Sequence, residues 1–221
     1  MVPYTDHLPI CADDRRLTKG DIAMAARTAP GYYSGTCDIY YALFETDDSS
    51  QAAPVYGTPV LLGKSVEVSI TPTYKEGQKY ASNTKVRNLK KLDSYEVEIT
   101  PDAISMEDKA ALLGRTVDKN GAHILDGDAK APYVALGFGF TTDDGNVDLW
   151  WLYKGTFGEI EYSGATQEDS IEWTDPKLSG IFDRRIWDDA IGANINTGEM
   201  AEGSTVTKET WFAQVYEKSN G

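Results

Sequence analysis

The chain has 221 residues, of which 41% are hydrophobic, a mean hydropathy of -0.42 and a formal net charge of -14. That length supports one large all-β domain, or a domain with extensions, with a core of useful size. The negative charge argues against a surface that grips nucleic acid non-specifically, which needs the opposite sign, yet it suits a wall past which a polyanion slides.

Residues 1–36 read as an N-terminal extension or arm. Pro3, Pro9, Gly20, Pro30, Gly31 and Gly35 punctuate it, and the only helix-like piece, "LTKGDIAMAARTA", contains the breaker Gly20. An arm this irregular needs either its own domain or a neighbouring chain to hold it. Its start, "MVPYTDHLPICADDRRLTKG", lacks the basic-then-apolar order of a signal peptide, and no apolar run in the chain approaches the ~18 residues that span a bilayer. Folding in a cytoplasm is therefore expected, with Cys11 and Cys37 as reduced thiols that form neither a disulfide framework nor a metal spacing.

From Cys37 to residue 221 the signals are mainly those of strands. "CDIYYALFE" and "VLLGKSVEVSITPTY" are rich in aromatic and β-branched residues, and Val66, Val68 and Ile70 alternate with polar neighbours. "SYEVEIT" repeats the alternation with Tyr95, Val97 and Ile99. "ISMEDKAALLG" predicts a helix with Ser105 and Asp108 in capping-box spacing, Gly114 as its stop, and Met106, Ala110, Leu112 and Leu113 as the apolar stripe. "YVALGFGF" and "VDLWWLYKGTF" predict a hairpin across Asp144, Gly145 and Asn146. Trp150 and Trp151 are adjacent in its second strand and must point to opposite faces, so both faces of this hairpin are expected to be covered by core, helix or subunit. "SIEWTDPKLSGIFDRR" adds apolar Ile171, Trp173, Leu178, Ile181 and Phe182. "TKETWFAQVYEK" predicts a closing helix with Thr207 as cap and Trp211, Phe212, Val215 and Tyr216 on one side. The fold expected is a mainly β sandwich or barrel with a flanking helix and a short C-terminal helix.

The inventory for chemistry is thin, and no residue is assigned as catalytic. His7 and His123 make no pair with metal or triad spacing, and "GFG" at Gly137 to Gly139 belongs to a strand rather than a dinucleotide-binding turn. Carboxylates are abundant enough to leave a two-carboxylate hydrolase open, and "DGD" at Asp126 to Asp128 offers oxygens suited to calcium. Turn chemistry accounts for these acids, and for Asp143, Asp144 and Asp148, without any function. No cofactor and no metal is expected.

Charge is placed unevenly. Residues 131–221 carry 16 acidic and 6 basic side chains, whereas Lys64 to Lys91 carries seven basic (Lys64, Lys75, Lys79, Lys85, Arg87, Lys90, Lys91) against Glu67 and Glu76. A basic segment and an acidic half on one subunit can complement each other between copies, and solvated faces would look the same.

The order of motifs from about Cys37 to Trp187 resembles the major tail proteins of long-tailed, non-contractile bacteriophages, the phi13-like family of tail tube subunits in particular. The resemblance runs through "DIYYALFE", "GKSVEVSITPTYKEGQKYASN", "YEVEITPDAISMEDKAALLGRTVDKNGAHI", "APYVALGFGF", "LWWLYKGTFGE" and "DSIEWTDPKLSGIFDRR". It implies a tail-tube-type β-sandwich whose sheets join those of neighbours into a barrel-lined hollow tube, built of hexameric rings. It also implies a structural virion protein that conducts DNA without binding it specifically, with other tail proteins (tape measure, tail terminator, distal tail) as partners and no membrane.

Within that resemblance, the excursion "TYKEGQKYASNTKVRNLKK" is expected to project toward the next ring. Its Lys75, Lys79, Lys85, Arg87, Lys90 and Lys91 would meet Glu159, Glu161, Glu168, Asp169 and Glu172 of another copy. Two alternatives stand beside this: a β-sandwich module for carbohydrate or receptor binding, with an open aromatic platform, and the inner tube protein of a contractile injection device.

Overall fold

The computed structural model describes residues 31–81, 84–162, 175–201 and 203–218, with the backbone alone for 78–81 and 84–87. In chain order these form β1 (Tyr33–Thr36), β2 (Ile39–Thr46), β3 (Val55–Tyr56), β4 (Val60–Gly63), β5 (Ser65–Ala81), β6 (Thr84–Pro101) and α1 (Met106–Leu113). There follow β7 (Thr116–Val117), β8 (His123–Ile124), β9 (Val134–Thr142), β10 (Val147–Phe157), β11 (Leu178–Asp183), β12 (Gly192–Asn196) and α2 (Lys208–Ala213). The fold is mainly β with two helices.

Ten strands form one open antiparallel sheet along the path β3-β2-β9-β10-β11-β6-β5, with β1 on β9, β12 on β10 and β4 on β2; β7 and β8 pair separately. The two halves of the sandwich are thus continuous through β10, whose first part pairs with β9 and β12 and whose last four residues, Lys154 to Phe157, pair with β11. A bulge makes the crossing possible. Leu152 pairs with Leu136 but Gly155 pairs with Val134, one residue too many on β10, so side-chain phase slips by one. Leu152 and Phe157 therefore face the same core although they are five apart.

That core takes Ile39 and Tyr41 from β2, Val97 and Ile99 from β6, Val134, Leu136 and Phe138 from β9, and Leu178 and Phe182 from β11. Leu112 and Leu113 of α1 close it. On the opposite face of β2, β9 and β10, a second cluster of Ala42, Ala135, Leu149, Trp151 and Tyr153 is covered by Trp211, Phe212 and Val215. Both faces of the β9–β10 hairpin are covered, one tryptophan to each. Trp151 is fully buried against α2, with its Nε1 donating to the carbonyl of Trp211 at 2.9 Å, while Trp150 stacks on Phe138 in the first core.

Caps and turns follow the residues that specify them. Ser105 accepts from the amide of Asp108, and Gly114 ends α1 at φ 63°, a conformation an L side chain rarely adopts. Thr207 and Thr210 cap α2 reciprocally. The Asp144 carboxylate accepts from the amide and side-chain nitrogen of Asn146, and Gly145 takes φ 83°.

Several expectations need correction. Met106 is exposed rather than part of the apolar stripe, since it sits at the first turn of α1 before the core-facing side begins. Val66 is also exposed, beside a register irregularity at the start of β5, whereas Val68 and Ile70 pack on the core. Strand alternation turns Ile181 outward between buried Gly180 and Phe182. The closing helix ends at Ala213, because Gln214 is extended, so Val215 and Tyr216 reach the sheet from irregular chain. Ile171 and Trp173 lie outside the described residues, as does most of the expected N-terminal arm. The last four residues of that arm, Tyr33–Thr36, form β1.

Candidate assembly surface

The longest strands are β5 and β6. They pair in register from the sheet to Ala81 opposite Thr84, but β11 accompanies β6 only from Tyr95 to Ile99. From Tyr74 and Leu92 outward the two strands form a ribbon of about 25 Å, at roughly 3.4 Å per residue, without a third strand among the described residues. A two-stranded ribbon is marginal on its own in water. This one also sets Lys75 opposite Lys91 and Lys79 opposite Arg87, like-charge pairs that weaken it further.

The side chains that are described partly compensate within the chain. Lys75 meets Asp93 at 2.7 Å; Lys90 lies 3.8 Å from Glu76 and 4.1 Å from the Tyr74 ring centre; Lys91 reaches Asp189 at 3.3 Å. All three lysine side chains remain more than half exposed, so these pairs are weak and open to exchange. Leu89 and Tyr74 are exposed on the same ribbon. Lys79, Lys85 and Arg87 lie on its outer part by backbone position, their side chains being outside the described residues.

Of the acidic candidates, Glu159 pairs with Arg115, and Glu161 is exposed beside a bridge to Lys177. Glu168, Asp169 and Glu172 lie outside the described residues. The outward face of β5, β6 and β11 is a shallow concavity of about 530 Å³ carrying Ser69, Thr71, Glu96, Glu98, Ser179 and Ile181. It is hydroxyl-rich and acidic, with Lys177 on Glu98 at 3.2 Å.

The other acids singled out in the sequence fasten turns and strands. Asp143 accepts from the amide of Tyr32 at 2.7 Å, Asp148 from the Tyr33 hydroxyl at 2.9 Å, and Asp126 from the amide of Asp128 at 3.0 Å. The hydrogen bond to Asp148 pushes the Tyr33 phenol up, helped by burial and the nearby charge. Among the described residues no three His, Cys, Asp or Glu stand close enough to hold a metal ion.

A second element, absent from the sequence-based expectations, is the β11–β12 loop, "DRRIWDD". Asp48, with no exposed side-chain surface, pairs with Lys154 and accepts from the backbone amides of Ile186 and Trp187. Burial alone would raise its carboxyl, but Lys154 and the two amides outweigh that and hold it below the usual carboxylate value. Arg185 is equally buried, bonded to Asp188 and Glu217, with its guanidinium 3.9 Å from the Tyr153 ring centre. Two buried charges thus brace a loop that presents Ile186 at 62% and Trp187 at 44% exposure. The only sequence signal was an Ile-Trp pair set within dense charge.

No protein-family model matches the chain, and no curated protein matches it, so the phi13-like placement finds no counterpart there. Among solved structures the chain is similar to a chain of the tube-terminating cap of the anti-feeding prophage, with a TM-score of 0.43 and 8% identity over 82% of this chain and 100% of that one. It is also similar to a chain of the six-fold symmetrised anti-feeding prophage baseplate, with a TM-score of 0.37 and 10% identity over 76% of this chain and 97% of that one. Both are distant likenesses.

Proposed function

We propose that the chain is a structural subunit that assembles with its own copies into the tail tube of a bacteriophage. The observation that carries this is the β5–β6 ribbon, which has no third strand among the described residues. It is a two-stranded element too weak to stand alone, and the segment that holds it, Lys64 to Lys91, has a net charge of +5. The rest of the chain holds 33 acidic and 14 basic side chains, a net of -19, so one subunit's ribbon finds its complement on another. A contact of this kind joins two different patches, and head-to-tail contacts that do not close generate filaments.

In this reading the subunits form rings of six that stack into a hollow tube of the non-contractile, phi13-like type supported by the motifs. The acidic concavity with Glu96 and Glu98 faces the lumen, where like charge keeps DNA from adhering during delivery. The chain has no catalytic role, cofactor or metal. It acts in the virion tail beside the tape measure, tail terminator and distal tail proteins, and is assembled in the host cytoplasm.

Reversing Lys90 and Lys91 to Glu tests the ribbon's part. Sedimentation should show loss of large assemblies with far-UV circular dichroism unchanged. Assembly at the wild-type concentration would contradict the proposal.

A further inference from the structure

A groove of about 350 Å³ lies between the ribbon's base and the braced loop, lined by Leu92, Tyr95, Trp150, Leu152, Arg184 and Asp189 among others. Two of its residues carry buried donors that have no partner among the described residues, Trp150 Nε1 and Arg184 Nε. Donors sealed from water are costly unless an acceptor reaches them. The Trp150 ring is fixed by stacking on Phe138, so its N–H cannot swing away to find one.

The rim adds charge and apolar surface. Asp189 is shared between Arg184, at 3.0 Å, and Lys91, at 3.3 Å, one carboxylate between two cations. Ile186 and Trp187 project from the same loop, whose backbone is pinned by Asp48 and whose base is locked by Arg185. An exposed tryptophan on the braced loop that also carries Arg184 is the kind of residue that concentrates binding energy at the centre of an interface. Through Lys91 this surface is continuous with the ribbon.

We propose that the groove and the Ile186–Trp187 loop together form the seat for a carboxylate-bearing segment of a second copy of this chain. The incoming carboxylate faces the surplus cation on the rim and, as the rim side chains part to admit it, accepts from the orphaned donors, while Trp187 and Ile186 are covered by apolar surface from the same segment. The occupant is a second copy because the ribbon that adjoins the groove is basic and the remainder of the chain is strongly acidic. The inference rests on the self-assembly proposed above.

The experiment uses the full chain and measures the concentration at which large assemblies appear, by sedimentation and light scattering. The wild type is compared with the double variant Ile186→Ser, Trp187→Ser and with Trp150→Phe, which keeps the stacked ring and removes the donor. The double variant should need at least about tenfold more protein, and Trp150→Phe several-fold more, with unchanged circular dichroism. Independently, a thiol introduced by Ile186→Cys should react with maleimide at least about tenfold more slowly in assembled protein than in dilute monomer, as expected of a covered interface centre. Assembly of the double variant at the wild-type concentration, or equal labelling in the two states, overturns the proposed seat while leaving self-assembly standing. Wild-type protein that stays monomeric at every concentration removes the second copy as occupant, and the self-assembly proposal with it.

Discussion

Asp48 shows how far a single residue can organise the loops of a sheet. Its carboxylate is wholly buried, paired with Lys154, and it ties the turn after β2 to the loop after β11 across more than a hundred residues of sequence. Its folded pKa is depressed, so its contribution is fully present above the ordinary carboxylate value of about 4 and is lost as pH falls through the lower folded value. Asp48→Asn should therefore cost about 3–5 kcal/mol at pH 7, where Lys154 is left buried without its partner, and clearly less at pH 3. Urea denaturation at the two pH values checks this; an equal cost at both would mean that folding does not depress the Asp48 pKa.

Packing gives two further residue-scale tests. A Cβ at Gly155 would lie 2.4 Å from the ring of Phe182, so Gly155→Ala should destabilise by about 1–3 kcal/mol or more through overpacking. Trp151→Phe removes the hydrogen bond to Trp211 and should speed amide exchange in residues 211–215 selectively. Uniform acceleration across the chain would show that α2 is not held by this contact.

At the scale of elements, legibility followed the strength of local signals. The β9–β10 hairpin was readable because Asp144, Gly145 and Asn146 specify the turn and because two adjacent tryptophans in a strand must face opposite ways. Helix α1 was readable from Ser105 and Gly114. The length of β5 and β6 was not, since the sequence of the outer ribbon has no apolar alternation to mark a strand and the strands show themselves only through cross-strand pairing. The bulge at Leu152 to Gly155 and the braced loop also escaped, because they depend on contacts between residues distant in sequence. Of the assembly candidates, charge signalled the ribbon lysines, whereas Arg184, Ile186 and Trp187 were marked only by an Ile-Trp pair within dense charge.

The ribbon is separable from the core in this architecture. Replacing residues 76–90 by Asn-Gly, which keeps Lys75 opposite Lys91, should leave thermal stability within a few degrees of wild type, because no described core residue is lost, and should abolish large assemblies. A melting temperature that collapses on this change would show that the ribbon belongs to the fold rather than to assembly. A chain beginning at Gly31 keeps β1 and the bond from Tyr33 to Asp148, and is the cleaner test of whether residues 1–30 act as an intersubunit arm. It should fold normally and assemble poorly.

For the whole molecule, the decisive property is the contrast between a basic ribbon and an acidic body. Attraction between exposed charges is screened beyond a Debye length of about 8 Å at physiological salt and about 3 Å at 1 M, so assembly should weaken as salt rises. Glu96→Lys together with Glu98→Lys should leave tubes intact but make them retain DNA, which filter retention of purified tubes would detect. Tubes that bind no more DNA than wild type would place this face elsewhere than the lumen. The central claim is self-assembly, and negative-stain electron microscopy of the full chain at high concentration tests it most directly. The account predicts hollow tubes or stacked rings of uniform diameter; a field of single globular particles at every concentration and salt would contradict it.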